Sequence, residues 1–417
     1  MGTLKTARHR RAAVALLLPV LIGTAGCGAG EKAPAGEAVY GQPLAEQFQA
    51  ATDATRGAGT AAFVSTLTYG AAGGDAVQRA RGNQDYERGT SRADTGLDAP
   101  RTFPKGTLEL LRGAAPEGKQ VLATADDDVY VRNGGSAWLK YTPEAVSKFG
   151  EATGDVAGHA AGDAAPYSGT LADLVPRAIP REAPERRADG SRVYRVVLLP
   201  EVAAELLPRH LRGAGDAWGT ESVGLTVKLD ADGRLVSAAA DLAPVLAALH
   251  DQGMLVEVKR LRAAYELTAF GEPGKAEGPS GGGEAVEDAG EVLAPVATLE
   301  AGRCAATGGT GLATEEIVRP VDCADRHDIR VLGQVEVDRA FSGKRDVGSG
   351  DRYGRVECGR ADAAAPKDWR RGGRYADGFG MRGKSEVSVS VTMDGEPGSG
   401  TETTVTGSYT CFLIVAR

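Results

Sequence analysis

An α+β fold in two parts is what the sequence predicts: an antiparallel meander with helices at its start and between its strands, then a smaller α+β domain tied by disulfides. Three observations carry this. Helical apolar spacing precedes and interrupts a series of short alternating runs. Residues 272–294 have no apolar face and are rich in Gly and charge, which marks a flexible linker between two domains. Of the five cysteines, Cys304, Cys323, Cys358 and Cys411 all lie beyond that linker.

The chain opens with Lys5, Arg8, Arg10 and Arg11 and no acid, continues through an apolar run over 12–22, and closes on Thr24-Ala25-Gly26-Cys27. A basic start, a short apolar core and small residues before a cut predict an export signal over residues 1–26; the core is too short to span a bilayer. The Ala-Gly-Cys ending resembles the lipobox of bacterial lipoproteins. That resemblance implies a diacylglycerol thioether on Cys27, which becomes the mature N-terminus and anchors the protein to the outer face of the cell membrane. Two acyl chains suffice for stable attachment. Residues 27–43 are small, charged and Pro-containing, and are expected to be a solvated tether.

From 44 onward Leu44, Phe48 and Ala51 recur at helical spacing until Gly57-Ala58-Gly59 stops the helix. Residues 62–69 alternate as a strand with Phe63, Ser65, Leu67 and Tyr69 on one face. Further strands are expected at 106–111, 119–124 and 129–132. Asn133-Gly134-Gly135 then turns the chain into a strand beginning Ala137-Trp138-Leu139. Helices are expected at 142–149, 171–175 and 201–212, strands at 192–198, 223–229 and 234–240, and one long strand within 255–270. The segment 241–253 carries Leu242, Val245, Leu246 and Leu249 at helical spacing and reads as an inserted core helix, with a lid over the sheet as the alternative.

This order, with Val129-Tyr130-Val131-Arg132 turning into Trp138-Leu139-Lys140, then Val193-Tyr194-Arg195-Val196, then Leu225-Thr226-Val227-Lys228-Leu229-Asp230 and its Gly233 turn, resembles the LolA/LprG/LppX-type bacterial lipoproteins over 44–271. The resemblance implies a half-open antiparallel β-barrel covered by helices, whose concave face holds acyl chains. Phe63, Leu67, Val121, Tyr130, Trp138, Val196, Leu225 and Val227 would then line the cavity.

In the last third, Gly302-Arg303-Cys304 is followed by Cys323 and His327-Asp328, a strand alternating through Ile329, Val331, Val335 and Val337, a helix near Cys358, and a hairpin of 387–391 with 403–415 that carries Cys411. Four exported cysteines read as two disulfides, with three possible pairings. The pattern over 295–417 resembles the septum-formation-type domain of actinobacterial envelope proteins. That resemblance implies the pairs Cys304–Cys323 and Cys358–Cys411, whose loops contribute about 3 and about 4 kcal/mol in the chain-entropy model. The preference for Arg over Lys, with heavy Ala and Gly, also suits an actinobacterial coding sequence.

Catalytic motifs do not emerge. The chain contains no G-x-S-x-G elbow, no H-E-x-x-H, no phosphate loop and no dinucleotide fingerprint. Zinc binding by the cysteines would call for a C-x-x-C pair, which is missing. Asp322, Asp325, His327 and Asp328 cluster before a strand, where such residues commonly cap and solvate the backbone. Asp126-Asp127-Asp128 and Asp230-Ala231-Asp232-Gly233 read as turns rather than calcium loops. The sequence therefore assigns no catalytic residue, cofactor or metal. A formal charge of −8, with the basic leader still attached, argues against nucleic acid as a partner. The expected function is that of a membrane-anchored, non-catalytic lipoprotein that binds or carries a lipid or other apolar molecule in the cell envelope. The alternative is an envelope or division-associated interaction protein with a closed N-terminal core and a partner-binding C-terminal domain.

Overall fold

Two long hairpin strands begin the main sheet, β1 (Thr60–Ala71) and β2 (Gly74–Asp85), paired in antiparallel register from Thr60 opposite Asp85 to Ala71 opposite Gly74. The inward face of β1 is the expected one, with Phe63, Leu67 and Tyr69 buried. The computed structural model describes residues 36–112, 120–133, 137–160, 162, 164–212, 218–276, 278–279, 284–312, 316–348, 350–370, 375–376, 378–391 and 401–415. The leader, Cys27 and the turn at Gly134-Gly135 lie outside the described residues.

The sheet continues through β3 (Thr90–Asp98), β4 (Gln120–Ala125), β5 (Asp128–Asn133), β6 (Trp138–Tyr141), β7 (Ile179–Pro180), β8 (Glu185–Arg186), β9 (Arg192–Leu198), β10 (Val223–Leu229), β11 (Leu235–Asp241), β12 (Val258–Thr268) and β13 (Val286–Asp288). Strand order is β13-β6-β5-β4-β3-β2-β1-β12-β11-β10-β9-β7, with β8 also on β9. Neighbours are antiparallel except β13, which runs parallel to β6. No described strand joins β13 to β7, so the main sheet is open among the described residues.

Ten α-helical segments are described: α1 (Glu37–Tyr40), α2 (Gln47–Arg56), α3 (Lys105–Arg112), α4 (Pro143–Phe149), α5 (Gly154–Ala157), α6 (Leu171–Leu174), α7 (Pro200–Ala203), α8 (Ala243–Asp251), α9 (Ala289–Val292) and α10 (Asp351–Ala364). α2 buries Phe48, Ala51, Thr52 and Thr55 against the sheet, and the Phe48 ring meets Tyr194 edge-on at 5.0 Å. α8 is the expected core helix, with Val245, Leu246 and Leu249 buried. None of the described helices is long and apolar enough to cross a membrane.

Three local expectations are corrected. Residues 106–111, expected as a strand, lie in α3: Pro104 accepts the first helical bond from Leu108, and Leu, Glu and Arg favour a helix with Thr107 and Leu111 inward. Residues 201–212 hold the end of α7 and two short 3-10 turns rather than one helix, because Pro208 has no N–H to continue it. The second half of the expected tether is folded. Val39 of α1 is 1% exposed, the Tyr40 hydroxyl donates to the Asp230 carbonyl, and the Arg192 guanidinium lies 3.7 Å from the Tyr40 ring centroid. The expected turn beneath it is present, with Gly233 at φ 84° and Asp230 Oδ1 accepting from Asp232 and Arg234.

A second sheet is built from β14 (Ala294–Pro295), β15 (Cys304–Ala306), β16 (Ile317–Val321), β17 (Ile329–Ser342), β18 (Gly380–Val391) and β19 (Thr401–Ile414), in the order β14-β16-β15-β17-β19-β18. Cys304 is bonded to Cys323 with Cα atoms 5.1 Å apart, and Cys358 on α10 to Cys411 on β19 at 5.3 Å. The end of the expected linker is β13, in the main sheet. The last third also bonds to that sheet directly: Gln120 Nε2 donates to the Gly311 carbonyl at 3.0 Å, and Arg319 meets Glu287 at 2.6 Å. Leu312 and Ile317 belong to the main core.

Candidate functional site

A cavity of about 780 Å³ lies against the inward face of β1, β2, β3 and β12. Strand register explains why space is left there. One cross-strand row runs Thr95, Ala80, Ser65, and the next runs Gln78, Leu67, Ala263. The row of Thr, Ala and Ser stands too low to reach the covering segments, whereas the row at Phe63 is filled: its ring packs 4.9 Å from Tyr167. The volume falls within the ~300–1,000 Å³ usual for small-molecule sites.

The walls come from the loop around α5, from 205–212, and from Gly311 and Leu312 of the last third. His159 lines the wall with Nδ1 hydrogen-bonded to the Ser168 carbonyl at 3.1 Å and its ring stacked 4.8 Å from Tyr167. Burial holds its pKa below the ordinary imidazole value. His210 bonds through Nε2 to the Leu110 carbonyl at 3.1 Å and is lowered for the same reason. Arg212 spends Nε on the Leu207 carbonyl and one terminal nitrogen on the Glu205 carbonyl. Polar and charged groups thus crowd the walls, and the apolar floor is made by Leu67, Ala80, Leu122 and Ala263.

Of the eight residues expected to line a cavity, Leu67 does so. Phe63, Trp138, Val196, Leu225 and Val227 are buried in protein packing instead. Tyr130 borders a separate hollow of about 370 Å³ with Lys140 and Val286, and Val121 is half-buried away from the cavity. The small residues Ser65, Ala80, Thr95 and Ala263, and the wall residues His159, Arg209 and Arg212, were not anticipated. A run of small and polar residues within strands is the signal that marks them, but it resembles any solvent-facing strand.

The polar cluster near Cys323 is spent on backbone. Asp322 Oδ1 accepts from the Ala324 N–H, and His327 bonds the Asp325 carbonyl at 2.8 Å and the Tyr375 hydroxyl at 2.7 Å. Burial raises the Asp328 pKa, but bonds from Thr307 and Gly308 outweigh it and hold the carboxyl below its ordinary range.

No family model matches the chain, and no curated protein matches it in sequence. Among solved structures, the chain is similar to the Mycobacterium tuberculosis lipoprotein LppX, at 12% identity and TM-score 0.30, over 56% of this chain and 98% of that one. It is also similar to the Pseudomonas aeruginosa MucA/MucB complex, at 11% identity and TM-score 0.26, over 88% of this chain and 93% of that one. Likenesses this loose assign neither ligand nor partner.

Proposed function

We propose that this protein is an extracytoplasmic lipoprotein, anchored through diacylglycerol on Cys27, that binds or carries a lipid or another apolar molecule in the cavity over β1, β2, β3 and β12 and performs no covalent chemistry. The observation that supports it is the cavity itself, with small residues in register across three strands and an apolar floor at Leu67 and Ala263. Each CH₂ buried there contributes about 0.8 kcal/mol, so one long chain offsets much of its extraction from a membrane. Such a carrier releases its cargo unchanged, which needs neither nucleophile nor metal. The alternative, an envelope interaction protein, supposes a closed N-terminal core, and the cavity weighs against that.

The test is mass spectrometry of what co-purifies with the full chain exported from a GC-rich actinobacterial host, beside Leu67→Trp. The full chain is used because Gly311 and Leu312 line the cavity. A stoichiometric lipid in the wild type, lost in the variant, is the expected result. An empty, equally stable protein in both cases rejects the carrier reading and returns attention to protein partners. For the anchor, Cys27→Ala is expected to release the protein into the medium; a variant still bound to membrane rejects lipidation at that residue.

A further inference from the structure

Four cations and four carboxylates line the cavity, but they are not evenly paired with one another. Lys384 meets Glu151 at 3.6 Å where both are largely exposed, and Arg177, outside the cavity, takes Glu205 through two bonds of 2.6 and 2.8 Å. Arg79 lies 4.0 Å from Asp98, outside the cavity, and Glu316 adds a negative charge. What remains is the segment 209–212 with a single carboxylate opposite it. Asp155 Oδ1 accepts the Arg209 backbone N–H at 2.8 Å, while among the described residues no carboxylate is paired with either the Arg209 or the Arg212 guanidinium. Arg209 is exposed and Arg212 is half-buried, so one stands outside and the other further in. Arg212 lines the cavity together with His159. Its two bonds go to neutral carbonyls, which fix its direction without neutralising it. Arg209 is seated by Gly154, where a Cβ would fall 2.3 Å from the Arg209 Cδ and Nη1 atoms.

We propose that Arg209 and Arg212 form an anion-recognising pole that holds the phosphate or carboxylate headgroup of an amphiphile whose chains lie over Leu67, Ala80 and Ala263. This rests on the cavity being the lipid site proposed above. Guanidinium groups suit the role because they remain charged when partly desolvated and match oxyanions with paired N–H donors. Two such groups stand out on a chain whose formal charge is −8. A neutral amphiphile fills the same floor but leaves the two guanidinium groups facing the single carboxylate of Asp155.

The test titrates the full chain calorimetrically with dihexanoyl phosphatidylglycerol, with dihexanoylglycerol, which has the same chains and no phosphate, and with glycerol 3-phosphate, which has no chains. The wild type is expected to prefer phosphatidylglycerol by at least about tenfold, as charge-assisted bonds imply. Arg209→Gln with Arg212→Gln is expected to remove that preference, with the loss falling on phosphatidylglycerol, whose affinity drops at least about tenfold. Gly154→Ala, which displaces Arg209 without altering charge, is expected to reduce it. Equal wild-type affinity for the two lipids, or a preference that survives the double variant, overturns the anionic pole and leaves the cavity reading standing. Glycerol 3-phosphate binding as tightly as phosphatidylglycerol overturns the amphiphile and leaves a plain anion site. Binding of neither lipid, with Leu67→Trp no different, overturns the cavity reading and this proposal together.

Discussion

The indole Nε1 of Trp138 donates to the Glu284 carboxylate at 2.7 Å, and this bond fixes the entry of residues 284–288 into the main sheet. Arg132 completes the clasp, with Nη1 2.6 Å from the other Glu284 oxygen and its guanidinium carbon 4.6 Å from the Trp138 ring centroid. A charge-assisted bond to a fully buried indole orders a segment whose composition alone reads as a flexible linker.

From this clasp we expect that Trp138→Phe, which keeps the ring and deletes the donor, loosens the approach to β13 without unfolding the sheet. Lys275 is exposed. Limited trypsin digestion should therefore cut after Lys275 several-fold faster in Trp138→Phe and in Glu284→Gln, with little change in melting temperature. An unchanged cleavage rate in both would mean that β13 is held by its backbone pairing to β6 alone.

Asp173 closes a capping box at the start of α6: the Thr170 N–H donates to its Oδ2 at 2.9 Å, while Oδ1 is sealed from solvent with no partner among the described residues. Burial outweighs the capping bonds and pushes the pKa up to about 6. The unfolded carboxyl titrates near ~4, so between those values the folded state binds more protons. Stability must then fall as pH rises through that window and stay lower above it. Asp173→Asn keeps a carbonyl acceptor for the cap and cannot ionise. It is expected to raise unfolding free energy at pH 7.5 by about 2 kcal/mol and to flatten the dependence between pH 4 and 6. Urea titrations at both ends of the window would show it. An unaltered slope would place the titration elsewhere.

What the sequence made legible follows from which residues bury their faces. β9 and β10 alternate large apolar residues, such as Tyr194, Val196 and Leu198, and their bounds were read directly. β2 and β3 were missed for the same physical reason that the cavity exists. Their inward positions hold Ala76, Ala80, Gln84, Ser91 and Thr95, small or polar residues that erase hydrophobic alternation: Ala80 and Thr95 border the cavity, while Gln84 and Ser91 are buried and bonded to Tyr265 and Thr124. The disulfide pairs followed from a resemblance and are present. The place of the last third beside the cavity was not legible, because it depends on Gly311 and Leu312 meeting a strand nearly two hundred residues earlier.

The two disulfides should differ in accessibility. Cys358 and Cys411 are fully buried between α10 and β19, whereas Cys323 is half-exposed in a turn. Mild reductant on the folded protein is expected to open Cys304–Cys323 first, since thiol exchange needs access to a sulfur. Removing Cys358 and Cys411 together as alanines should cost about 4 kcal/mol, and removing Cys304 and Cys323 about 3. Thiol labelling followed by peptide mass mapping gives the order. Simultaneous reduction would mean that α10 and the Cys323 turn open as one unit.

Two glycines one turn and a little more apart on α10 should respond oppositely to alanine. A Cβ on Gly354 would lie 2.6 Å from the Tyr409 ring, and Tyr409 is held both by packing and by its hydroxyl bond to Asp351 at 3.0 Å. The ring has no room to retreat, so Gly354→Ala must push the helix from β19 and is expected to cost about 1–3 kcal/mol. At Gly359 the added methyl meets Phe379 at 3.6 Å, an ordinary contact. There the gain in helix propensity decides, and Gly359→Ala should stabilise by about 0.5–1 kcal/mol. Denaturant midpoints of the two variants measure the contrast. Equal destabilisation would show that α10 as a whole, and not the Gly354–Tyr409 approach, sets the packing distance on the second sheet.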